Sequence, residues 1–76
     1  MTVGELRELL EGVDDSCEMR IASQPSYPFE YSLERLEVVE ADIEFPTPEG
    51  RPVVYLVEGS QLGYLAGVAA QAIGWR

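Results

Sequence analysis

The chain predicts an α+β fold: a small three-stranded antiparallel sheet with an N-terminal helix and a short C-terminal helix, in the order α-β-β-β-α. Apolar residues near the N-terminus recur at helical spacing, the middle of the chain alternates apolar and polar residues around a proline-rich turn, and the last apolar segment closes on a glycine. With 76 residues, the chain fits a single domain spanning 1–76. A chain of this size buries only about 60% of its unfolded surface, so its stability is expected to be marginal.

The first helix is expected over residues 3–11. Thr2 and Glu5 form a T-x-x-E capping box, in which each side chain can satisfy a backbone N–H left open in the first turn. Val3, Leu6, Leu9, Leu10 and Val13 fall on one side of that helix, with Glu5, Glu8 and Glu11 on the other, and Gly12 ends it. Asp14-Asp15-Ser16 turns the chain into a half-buried strand, Cys17 to Ala22, with Cys17, Met19 and Ile21 facing the core.

Pro25 and Pro28 then exclude regular structure from Gln24 to Tyr31, because proline lacks a donor and pushes its predecessor out of helical geometry. An ordered loop carrying Tyr27, Phe29 and Tyr31 is expected. Strand character returns from Leu36 to Phe45, with a change of phase that suggests a bulge near Val38-Val39. The turn Pro46 to Pro52 makes this strand a hairpin with Val53 to Val57, whose two apolar faces place it centrally. Glu58 to Gly63 reads as a turn leaving that strand. Leu65 to Ile73 reads as the second helix, with Gly74 in the left-handed position and Trp75 folding back. The simplest packing sets the helices over one face of the sheet and lays the acid-free C-terminal segment against it.

Charge and residue types narrow the function. Fourteen acidic residues against five basic ones give a formal net charge of −9, which disfavours nucleic acid and anionic membranes. Histidine and lysine are absent, so triads with a histidine base and lysine Schiff-base chemistry are excluded. No cofactor motif is present: the glycines of Glu58 to Gly63 match neither phosphate-binding nor dinucleotide spacing, and the acids fit no calcium loop. The expected class is a non-enzymatic protein without metal or cofactor. Cys17 reads as a small buried hydrophobe rather than a reactive thiol. The lone cysteine, the lack of a signal-like start and the lack of a long apolar run point to the cytoplasm.

Two kinds of surface emerge as candidate partner-binding sites. One is aromatic and lies on two separate segments, the loop carrying Tyr27, Phe29 and Tyr31 and the stretch from Tyr55 to Tyr64 with Gln61 and Tyr64, since aromatic side chains supply much of the energy of protein contacts and a proline-stiffened loop presents them with less ordering cost. Phe29 and Tyr31 could equally fold back as a lid over a thin core. The other is Glu40, Asp42 and Glu44, which alternate along the expected strand about 7 Å apart and could imitate a nucleic-acid backbone in a basic groove. The acids of a small domain also gather wherever it meets water. A three-stranded sheet leaves edges, so a homo-oligomer is a further expectation.

The stretches M-T-V-G-E-L-R-E-L-L, R-I-A-S-Q-P-S-Y-P-F-E-Y-S-L and V-V-Y-L-V-E-G-S-Q-L-G-Y-L-A-G-V-A-A-Q-A-I-G-W resemble those of small proteins of actinobacterial phages and mobile elements. The resemblance covers most of the chain and transfers no activity. It implies a small phage-type accessory protein, for which interference with a host protein is a common role. It also leads one to expect a proline where this chain has Ala66, and so a looser start to the last helix.

Overall fold

A computed structural model describes residues 1–75. The order is α1 (Val3–Leu9), β1 (Arg20–Ser23), β2 (Phe29–Val39), a 3-10 turn (Pro48–Gly50), β3 (Val53–Tyr64) and α2 (Gly67–Ile73). The three strands form one antiparallel sheet in the order β1-β2-β3. The α-β-β-β-α arrangement is therefore the one expected.

Local chemistry fixes the helix ends. Thr2 caps α1, its Oγ1 accepting from the Glu5 backbone N–H at 3.1 Å. The helix stops at Leu9, two residues short of the expected range, and Gly12 takes a φ of 84° in the turns beyond it. Gly74 closes α2 at φ 93°, and the Trp75 N–H reaches back to the Ala70 carbonyl at 2.8 Å, as a left-handed C-terminal cap requires. At its start α2 has no side-chain cap, because Ala66 has no oxygen to offer.

The Asp14-Ser16 turn forms as expected: the Ser16 hydroxyl and backbone N–H both donate to Asp14 Oδ1, at 2.5 and 2.8 Å. The serine hydroxyl first, and then the backbone N–H, hold the Asp14 carboxyl below its ordinary pKa. A depressed carboxylate stabilises its turn above the ordinary aspartate range, and the effect is lost as pH falls through the lowered value. In Ser16→Ala, an NMR titration of the Asp14 carboxyl is expected to move upward toward the ordinary range. An unchanged titration would show that the hydroxyl is not the cause.

Several strand boundaries differ from expectation. β1 starts at Arg20, since the Cys17 N–H is used by the Asp14 carbonyl in the preceding turn at 3.0 Å. Cys17 is consequently exposed rather than facing a core. Residues 29–31, expected in the loop, open β2, because a proline just before a strand costs it no ladder bond. β3 runs on through Glu58 to Tyr64, where a turn was expected, and it lies at the edge; β2 is the central strand.

The bulge sits elsewhere too. Pairing is regular from Arg35↔Val57 to Val39↔Val53, while the register shifts between Glu30 and Arg35. Ser32 there faces an extra residue in β3. Its Oγ accepts the Ser60 backbone N–H at 2.9 Å, and a Cβ on Gly59 would collide with that Oγ and lie 3.2 Å from the Ser32 carbonyl oxygen. Glycine is what lets the strands approach at this point.

The helices do not cover the sheet. Among the described residues, extensive packing between elements is confined to the strand pairs. Ala70 of α2, 3% exposed, is the one buried core residue among them. The radius of gyration is 15.1 Å, against about 11 Å for a compact chain of this length. Accessible surface totals 6357 Å², where a compact protein of 8.4 kDa exposes about 4,600 Å².

Candidate functional site

Folding brings together the two segments singled out by their aromatic content. In the antiparallel register Phe29 lies opposite Tyr64 and Tyr31 opposite Gln61, with Ile21 of β1 on the other side of Tyr31. Residues directly opposite one another share a face of a sheet. The Phe29 and Tyr64 rings stack at a centroid distance of 4.7 Å with planes 21° apart, in the range of a favourable aromatic pair.

The loop carrying Tyr27 is held at both ends. Its base turns at Gln24, whose carbonyl accepts the Tyr27 N–H at 3.0 Å. Gln24 takes a φ of 63°, a left-handed conformation that a side chain rarely adopts. On the far side the Pro28 carbonyl accepts from the Leu65 N–H at 2.6 Å, tying the loop to the end of β3. Below the loop, Arg20 pairs with Glu30 at 2.8 Å and also with Glu18. Both carboxylates raise the guanidinium pKa, Glu30 the more strongly.

The five residues divide by exposure. Phe29 and Tyr31 are half-buried. Tyr27 and Tyr64 are each 69% exposed. Gln61 is exposed as well. Tyr27 precedes Phe29 by two residues and Tyr64 lies opposite Phe29, so strand pairing brings the loop and the end of the edge strand to one end of the sheet, which the sequence order does not reveal.

Glu40, Asp42 and Glu44 lie at the opposite end of the ribbon, roughly 30 Å away along β2. β2 ends at Val39, so these acids occupy an irregular connection and lack the expected two-residue strand repeat. Asp42 and Phe45 exchange backbone hydrogen bonds at 3.1 and 3.0 Å, and Asp42 also accepts from the Ile43 N–H. That turn bends the segment, and Phe45 approaches Tyr55 with ring centroids 6.3 Å apart. The acidic residues remain exposed.

Two open clefts show what chemistry surrounds these surfaces. One of about 520 Å³ lies between Met1–Gly4 and the stretch from Pro48 to Val54, with Arg51 its only charged side chain. Another of about 310 Å³ lies between the end of α1 and Met19, and Cys17 lines it. Among the described residues no group of three or more Cys, Asp or Glu side chains is disposed to hold a metal ion, and no helix is long and apolar enough to cross a membrane. No family model, curated protein or solved structure matches the chain, so the reading of the site rests on its own geometry.

Proposed function

We propose that this is a non-enzymatic accessory protein of phage type that acts in the bacterial cytoplasm by docking on another protein, a host or defence component. The observation that carries the reading is the aromatic end of the sheet: Tyr27 and Tyr64 are exposed there, Tyr64 is stacked on Phe29, and the Leu65–Pro28 bond ties the loop to the end of β3. Ordered aromatic side chains lose little freedom on binding, which is what makes them strong contact residues. The net charge of −9 favours a basic partner and speeds encounter with it.

The test is capture from a bacterial lysate by the wild type and by Tyr27→Ala/Tyr64→Ala. A partner retained by the wild type is expected to be lost at least tenfold by the double variant, equivalent to about 1.4 kcal/mol of binding. Its capture should also weaken as salt rises. Equal capture by both proteins would remove the aromatic end as the interface. Replacing Glu40, Asp42 and Glu44 by Gln or Asn separates the acidic-mimic alternative, which requires those three changes to abolish capture.

Self-association is a second reading. It is favoured by the bare face of the β2–β3 ribbon and by the surface left exposed beyond that of a compact protein of this mass.

A further inference from the structure

We propose that the free edge of β3 from Val53 to Val57 pairs antiparallel with the same segment of a second copy of this chain, about a two-fold axis at Tyr55, so that two sheets join edge to edge into one. The proposal rests on the self-association reading and assigns its strand.

The backbone locates the site. β3 is hydrogen-bonded to β2 on one side alone, so alternate N–H and C=O groups along it point away from the sheet. Among the described residues no group of the chain bonds the outer side of Val53–Val57; the strand's one bond to a side chain, from the Ser60 N–H to Ser32, is made toward β2. Met1–Gly4 lie across a cleft from Val53 and Val54 and bond neither backbone. Val54, Tyr55 and Leu56 are exposed. An extended backbone with open donors and acceptors is completed by another extended strand.

A second open edge in the same ribbon shows what sets β3 apart. β1 pairs with β2 only as far as Ser32, which leaves Leu33–Val39 of β2 without a neighbour on that side. That edge carries Glu34, Arg35 and Glu37, and charged side chains are a common means by which edge strands resist pairing. Val53–Val57 contains no charged residue, proline or glycine. The segment is also bounded. Pro52 before it has no N–H to donate, and beyond Val57 the register with β2 becomes irregular.

These residues supply their own partner. An antiparallel copy turned about Tyr55 sets Val53 against Val57, Val54 against Leu56 and Tyr55 against Tyr55 of the second copy. Every pair is apolar and an aromatic pair stands at the axis, which is the composition that stabilises cross-strand contacts. Glu58 falls opposite Pro52, so no like charges are set face to face. A basic partner finds no counter-charge in the segment, whereas a second copy matches it residue for residue. Pairing of this kind consumes the same edge in both copies and therefore closes at two chains.

The test is amide hydrogen exchange of the full wild-type chain, followed by NMR across a range of protein concentrations. The Val53–Val57 amides that do not bond β2 are expected to exchange at least tenfold more slowly above the dissociation constant than below it, as sedimentation equilibrium shows the mass rising from 8.4 kDa to twice that value. Exchange at Ile43, 97% exposed and off the sheet, is expected to stay the same. Tyr55→Lys sets two like charges opposite one another at the axis, and is expected to raise the dissociation constant at least tenfold, while Ile43→Lys leaves it unchanged. A monomer at every concentration overturns both self-association and this strand. A dimer whose outward β3 amides exchange at an unchanged rate overturns the strand and leaves self-association standing. A mass that climbs beyond two chains overturns the closed two-fold pairing.

Discussion

Gly59→Ala is expected to lower the free energy of unfolding by about 2–3 kcal/mol, a large part of what a domain of this size possesses. The added Cβ would overlap Ser32 Oγ and press on the Ser32 carbonyl. To make room the serine must turn away, and the Ser60 N–H then loses its acceptor. Overpacking of this kind costs about 1–3 kcal/mol and a lost hydrogen bond about 1 kcal/mol. Ser32→Ala alone removes only the hydrogen bond, so it should cost about 1 kcal/mol. Combined with Gly59→Ala it should cost less than the sum, because the side-chain collision has been removed already. Urea unfolding followed by circular dichroism at one fixed protein concentration measures all three variants. A Gly59→Ala protein within about 0.5 kcal/mol of wild type, the range of an ordinary surface change, would show that the strands do not approach there as described.

Gly59 also shows which parts of the fold can be read in the sequence. Features set by neighbouring residues are legible: the Thr2 cap, the Asp14-Ser16 turn, the prolines around residue 48 and the Gly74 closure all form where their side chains call for them. Features set by distant pairing are less so. Gly59 signals a place where backbone must approach backbone, but the same residue type also marks turns, and only the position of Ser32 across the sheet decides between them. The two apolar faces of Val53 to Val57 point to a central strand on the premise that both faces are covered. Here Val53 and Val57 are half-buried while Val54 and Leu56 face outward, and β3 is an edge. An alternating pattern is likewise compatible with a strand at Cys17 and at Glu40, and in both places a local turn captures the backbone first. Of the candidate site, the aromatic residues were legible as a group from composition alone. Their separation into half-buried Phe29 and Tyr31 and exposed Tyr27 and Tyr64 follows from strand order, the first two lying on the central strand and the others in a loop and at the end of an edge strand, which no local pattern contains.

That separation gives the second large effect. Phe29→Ala is expected to destabilise the protein by about 2 kcal/mol, less than the 3–5 kcal/mol of a fully buried phenylalanine because the ring is half-exposed, and including the loss of its stack on Tyr64. Tyr27→Ala removes a side chain that is mostly in solvent, so its effect on stability should stay within about 0.5 kcal/mol. For partner capture the order reverses. Tyr27→Ala removes a contact directly while leaving the fold unchanged. Phe29→Ala acts through Tyr64, which no longer has a ring to order it, so Phe29→Leu should restore most of the lost stability but not the lost capture. Parallel measurement of unfolding and capture on Tyr27→Ala, Phe29→Ala and Phe29→Leu therefore separates lid from interface residue by residue. If Tyr27→Ala proved as destabilising as Phe29→Ala, Tyr27 would belong to the lid. If neither changed capture, the aromatic end would serve only to close the open end of a sheet whose apolar surface is covered by few residues of its own chain.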